Sequence, residues 1–332
     1  MRASLPLLFL LPLAAGPGAA QQAPAPAAPA AVAIQTADSD FRMTVPVSVA
    51  GAGPFPFLID TGAQRTVISR ELAQTLGLLP GRSVRVTAMT GASPTDTVVI
   101  PFITVGPGGP GAARTGKGPP GLPAIAGRGI EAPALAAADI GAPGLLGLDA
   151  LQDRQVAIDL DARVMSVSPA TRRRRAPDPA GEIVVRAKSL LGQLVVTDAY
   201  AGNVRVRVIL DTGSVASIGN LALRRKLGPS RQPVQRISLV SVLGDSMAAD
   251  YTALPHVRIG ELGIEALPVA YADAAPFRQL GLTAKPAILL GMDALALFRR
   301  VEIDFPNREV RLLLPRDLAA QRARQGWRPS GG

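Results

Sequence analysis

The sequence predicts a mainly β protein built as two homologous lobes, with short helices and a cleft between the lobes. Three observations predict it. An apolar run that ends on an acid occurs twice, as "FLIDTGAQRTVIS" (57–69) and "VILDTGSVASIGN" (208–220), which sets Asp60 and Asp211 at an offset of 151 residues (211 − 60). Other landmarks recur around each copy in the same order, the signature of a duplicated unit. Between them lie short β-branched runs punctuated by Gly and Pro, which argue strands joined by turns.

Taken along the chain, residues 1–20 carry one Arg, an apolar run and small residues before Gln21. That is the pattern of a secretory signal peptide, so a periplasmic or secreted protein is expected. The apolar run is short for a permanent span and no later segment is long enough, so no transmembrane segment is expected once the signal is removed; an uncleaved anchor stays open. Residues 21–40 open on an Ala/Pro tract that reads as an extended tether. A first lobe is expected over 41–170, a basic, Pro-containing linker "TRRRRAPDPAG" over 171–181, a second lobe over 182–315 and a basic tail over 316–332.

Each lobe repeats four landmarks. After the acid-bearing strand comes a helical pattern, "SRELAQTLGL" and "NLALRRKLG", with Ser69 and Asn220 as N-caps and Gly77 and Gly228 as stops. A β-rich segment with a glycine turn follows, at Gly91 and Gly244. Then "GLLGLDAL" (144–151) matches "ILLGMDAL" (288–295). Last, "VAIDLDARVMSVSP" matches "VEIDFPNREVRLLLP", each a strand, a turn and a returning strand. Only the first lobe carries the Gly/Pro-rich insertion "GPGGPGAARTGKGPPGLPAIAGRG", which reads as a surface loop.

Composition narrows the chemistry. The 332 residues are 48% hydrophobic, enough for two cores, and include no Cys, which removes disulfides and thiol nucleophiles. The net charge of +10 is dispersed apart from the linker and tail, and aromatic residues are only 4%, so stacking platforms are scarce and no nucleic-acid partner is expected. His256 is the only histidine and reads as structural or exposed, so no metal site and no Ser/His/Asp triad is expected. Asp149 and Asp293 read as helix N-caps, and Asp159 and Asp304 as turn residues.

A lone buried acid would simply take up a proton. Two carboxylates about 3 Å apart repel by roughly 5 kcal/mol at an effective dielectric near 20, about 4 pK units, so Asp60 and Asp211 together would hold one proton over most of the pH range. Such a pair supplies a general base and a general acid at once: one carboxylate activates a water while the other protonates a carbonyl oxygen. Gly62 and Gly213 allow the two loops to approach, and the hydroxyls of Thr61 and Thr212 can bond across the pair. Next along the chain, Ala63 has no side-chain donor whereas Ser214 has one. That difference is expected to favour the ionised form of Asp211.

These residues resemble the aspartic proteases, specifically the retropepsin-like group, in which an apolar-apolar-Asp-Thr-Gly-Ala/Ser stretch is joined by a later apolar-apolar-Gly stretch. Both stand here twice, at 58–63 with 145–147 and at 209–214 with 289–291. The resemblance implies two acid-protease β-barrel lobes, each giving one aspartate to a cleft. It also implies that Gly147 and Gly291 make room for the catalytic loops. Flap tips are implied at Met89, Thr90, Gly91 and Ala92 and at Val242, Leu243, Gly244 and Asp245. Viral members are single lobes that dimerise; this chain carries both, so a monomer could be active. Where those members have Arg after the glycine, this chain has Leu148 and Met292, and its flap candidates lack the tyrosine of pepsin-like enzymes.

The reading is an exported aspartic endopeptidase that cleaves extended polypeptides with Asp60 and Asp211, with no cofactor. The alternative is a non-catalytic peptide-binding or envelope-assembly module on the same double-lobed fold.

Overall fold

The computed structural model describes residues 30–33, 43–106, 122–125, 129–170 and 181–324. The expected signal peptide lies outside the described residues, as does the linker apart from Gly181.

Alternation and continuous apolar runs decide the strands. In Val204–Leu210, Val206 and Val208 point into the core while Arg205 faces out; the run then stays buried through Ile209 and Leu210, as a central strand covered on both faces must. The first lobe is a curved nine-stranded sheet whose middle runs Val67–Ser69, Gly144–Leu146, Ala52–Ile59, Thr44–Val49. The second lobe repeats that order with Ile218–Gly219, Ala287–Leu290, Val204–Leu210 and Gln193–Ala201. In both, the third-landmark strand lies parallel to the acid-bearing strand (Leu145 beside Leu58, Leu289 beside Ile209) and antiparallel to the strand that leaves the acid's loop. The architecture is thus mainly β and two-lobed, as the duplicated sequence predicts.

The short helices sit where their caps put them. Ser69 Oγ accepts from Leu72 N at 3.1 Å to open Arg70–Thr75, and Asn220 Oδ1 accepts from Leu223 N at 2.8 Å to open Leu221–Leu227. Gly77 and Gly228, at φ +59° and +75°, end them.

The fourth landmarks form one structure. Hairpin Arg154–Asp159/Val164–Pro169 of the first lobe pairs along Arg300–Asp304 of the second, and Glu309–Leu313 and Glu182–Arg186 complete a five-stranded sheet across the two lobes. Val156, Ile158, Val301, Ile303, Val310 and Leu312 bury one face in a core shared by both lobes. On the other face Arg311 is buried with Glu182 and Glu309, at 3.1 and 3.2 Å. This sheet fixes how the lobes face each other.

Three segments differ from the sequence expectation. The first-lobe insertion is not loop throughout: Leu122–Ile125 pairs antiparallel with Ile103–Val105. Within the expected tether, Ala30–Ala33 lies parallel to the start of Leu262–Tyr271. The expected basic tail begins as a helix, Arg316–Arg324, whose Leu318 and Ala319 pack on the shared core. Short apolar patches in otherwise polar or small-residue stretches are enough to add such elements once a sheet edge or core surface is there to receive them.

Candidate active site

Asp60 and Asp211 each follow the last residue of a buried central strand, and each main-chain N–H donates to the neighbouring strand, to Leu146 O and Leu290 O at 3.0 Å. The chain cannot continue as strand beyond them, because Gly62 and Gly213 turn back to wrap the carboxylates. Gly62 N and Ala63 N donate to Asp60 Oδ1 at 2.8 and 2.9 Å; Gly213 N donates to Asp211 Oδ1 at 3.1 Å.

The two loops meet across the lobe interface. Thr61 Oγ1 donates to Leu210 O at 2.8 Å and accepts from Thr212 N at 3.1 Å; Thr212 Oγ1 donates to Ile59 O at 2.7 Å and accepts from Thr61 N at 3.2 Å. Each hydroxyl therefore bonds twice to the opposite lobe. Each glycine lies against the opposite carboxylate: a Cβ on Gly62 would stand 2.6 Å from Asp211 Oδ1, and one on Gly213 would collide with the Asp60 carboxylate. Any other residue there would hold the acids apart.

The acids are not equivalent. The Asp211 carboxyl is pushed up to about 7, first by burial and second by the charge of Asp60, against the opposing pull of the Gly213 and Ser214 N–H groups. Asp60 and Asp211 are each half-buried as residues. Asp60 has the closer pair of main-chain donors on one oxygen, the better setting for an anion. The sequence assigns the Ser214 hydroxyl to the Asp211 carboxylate, and the structure corrects this. Ser214 Oγ donates to Ala216 O at 2.7 Å, because the loop bends back on itself there. The hydroxyl therefore gives no bias toward an ionised Asp211.

Gly147 and Gly291 pack against main chain of the acid loops. A Cβ on Gly291 would stand 2.7 Å from Ala216 C and O, and one on Gly147 would meet Arg65 just as closely. Asp149 and Asp293 are not the N-caps expected of them; Gly147 and Gly291 hold those positions. Their carboxylates instead pin the acid loops from behind. Asp149 accepts from Thr66 N and Thr66 Oγ1 at 2.9 and 2.7 Å, and Asp293 accepts from Ser217 N and Ser217 Oγ at 2.9 and 2.7 Å. Sequence reasoning missed Thr66 and Ser217, although paired hydroxyls six residues after each dyad acid were a legible signal. Asp159 and Asp304 do cap turns, accepting from Ala162 N and Asn307 N at 2.8 and 3.0 Å. His256 pairs with Glu265 across two strands.

The two glycine turns stand on hairpins, Leu79–Thr87/Ala92–Ile100 and Gln235–Val240/Ser246–Ile259. Ala92 begins the returning strand, so the first tip is Ala88–Gly91, closed by Ala88 N to Gly91 O at 2.8 Å. Each tip crosses to the other lobe. Met89 packs against the second lobe's apolar cluster, which includes Ile209, Phe277 and Leu289, and its carbonyl accepts from Ala275 N at 2.9 Å. The Thr90 hydroxyl is buried without a hydrogen-bond partner. Val242 and Leu243 pack against the first lobe's apolar cluster of Leu58, Ile140, Leu145 and neighbours, and Gly244, at φ +83°, turns beside Asp139. Asp245 is exposed. Among the described residues, no group of three or more His, Cys, Asp or Glu is placed to hold a metal ion.

Two β lobes, each presenting an Asp-Thr-Gly loop to the other, define the bilobal class of acid-loop proteins. The family model for aspartyl proteases matches the chain twice, over residues 45–150 and 197–294, together more than half of its length. The chain belongs to the aspartyl protease family. Among solved structures, a retropepsin-like aspartic protease from Rickettsia conorii is 22% identical, with a TM-score of 0.29; the match covers 40% of this chain and 90% of that one. No curated protein matches the chain.

Proposed function

We propose that the protein is an exported aspartic endopeptidase that hydrolyses peptide bonds of extended polypeptides with Asp60 and Asp211. The observation that carries this reading is the reciprocal Thr61/Thr212 lock with each glycine against the opposite carboxylate. In the resting enzyme Asp60 is ionised and Asp211 protonated. Asp60 takes a proton from a water that attacks the scissile carbonyl, while Asp211 gives its proton to the carbonyl oxygen. Collapse of the tetrahedral intermediate breaks the C–N bond: Asp60 gives the proton it took to the leaving nitrogen, and Asp211 takes one back from a hydroxyl of the intermediate, so the pair holds one proton again. The pair titrates as a unit with two macroscopic constants. The substrate lies extended between the dyad and the two hairpin tips, pairing strand-like with their edges. Both lobes are on one chain, so a monomer suffices. No cofactor takes part in this scheme.

The test is a digest of a broad peptide library with wild type, Asp60→Asn and Asp211→Asn, each checked for folding by circular dichroism. Cleavage by wild type alone is expected; no wild-type cleavage between pH 3 and 8, or cleavage retained in both variants, overturns the reading. Export is supported by the composition of residues 1–20. Fusing residues 1–40 to a reporter that is active only after export tests it, and an inactive reporter refutes it.

A further inference from the structure

Gln193 opens the second-lobe strand Gln193–Ala201 and is 4% exposed. Its side chain leaves its own lobe: Nε2 donates to Gly62 O, in the first lobe's acid loop, at 2.6 Å. The other end of that same peptide unit is the Ala63 N–H, which donates to Asp60 Oδ1 at 2.9 Å. A donor on a peptide carbonyl polarises the unit and strengthens its N–H as a donor, so the three groups form a chain running from one lobe to the carboxylate of the other. The orientation of the amide follows from its partner, since reversing it would set Oε1 against a carbonyl oxygen. Holding that orientation leaves Oε1 buried without a hydrogen-bond partner. A buried acceptor left unpaired is unfavourable, so the Gly62 contact is kept against a local penalty.

We propose that Gln193 is a positioning residue which, through the Gly62–Ala63 peptide, steadies the ionised form of Asp60 and so seats the shared proton on Asp211. It rests on the dyad reading given above. The charged groups around the pair come from each element packed there. Asp211 faces Asp60 directly; Asp149 and Asp293 are turned back onto Thr66 and Ser217; Arg65 and Lys188 are exposed; and Asp139 lies under the second tip at Gly244. Gln193 is the neutral donor in this set, and its effect passes through a hydrogen bond.

The experiment uses the full chain with carbon-13-labelled aspartate and follows carboxyl titration of the dyad alongside the pH profile of kcat/KM. Gln193→Met keeps the volume and removes the donor. The lower apparent constant of the pair, and with it the acidic limb of kcat/KM, should move up by about one pH unit, a change of about tenfold in proton concentration. A folded Gln193→Met with unshifted titration overturns the proposal. In the wild type itself, the Gln193 side-chain amide and the Ala63 amide should shift together as the pair titrates, and independent behaviour also overturns it. A wild type that cleaves nothing would sink the dyad reading, whereas the carboxyl titration still reports the Gln193 coupling.

Discussion

Replacing Asp211 by Asn should abolish cleavage and yet stabilise the fold at neutral pH. The Asp211 carboxyl is pushed from 3.8 to about 7 by burial and by the Asp60 charge. A carboxyl raised in the folded state binds more protons folded than unfolded, so stability declines as pH rises between those two values and is level above the upper one. At about 1.4 kcal/mol per pH unit, the full displacement corresponds to at most about 4 kcal/mol. The residue is only half-buried and the introduced amide must sit beside Asp60, so about 2 kcal/mol is expected. For a chain of this size that is about 3 °C in Tm. Urea denaturation of wild type and Asp211→Asn should give similar stabilities near pH 4, with the variant gaining steadily to pH 7 and holding its lead at pH 8. A variant no more stable than wild type at pH 8, or a difference that does not change with pH, would refute the reasoning.

Cleavage by the wild type should fall as pH rises through about 7, where the last shared proton leaves Asp211; full activity at pH 9 in a rate profile would contradict this. Thr61→Val removes a donor to Leu210 O and an acceptor for Thr212 N, and should lower stability by about 1–3 kcal/mol in urea titration. Gly291→Ala drives a methyl into the main chain of Ala216 and should destabilise by about 1–3 kcal/mol, read as a lowered Tm. Leu243→Asp sets a charge into the apolar seat of the second tip; KM should rise by about tenfold with Tm nearly unchanged, the mark of a loosened cover rather than a damaged core.

The particular residues show how far sequence carried. Asp60 and Asp211, with their threonines and glycines, were legible because the chemistry demands those residue types beside one another in the chain, and duplication printed the pattern twice. Ser69 and Asn220 were legible as caps for the same reason: a cap acts on N–H groups within three residues of itself. Ser214 was misread because the direction of a hydroxyl depends on the bend of its loop. Asp149 and Asp293 were misread because their partners, Thr66 and Ser217, come from a distant stretch brought close only by the threading of Gly144–Leu146 and Ala287–Leu290.

The sequence by itself determined the double lobe, the pairing of two acids and the absence of any thiol chemistry, since repeats, local turn chemistry and composition are properties of short stretches of chain. Only the tertiary structure decided that the Ser214 hydroxyl turns away from the acids, that each hairpin tip rests on the opposite lobe, and that Gln193 reaches the Asp60 loop. Those outcomes depend on burial and on contacts between residues far apart in the chain, and such contacts leave no period or spacing in the sequence to read.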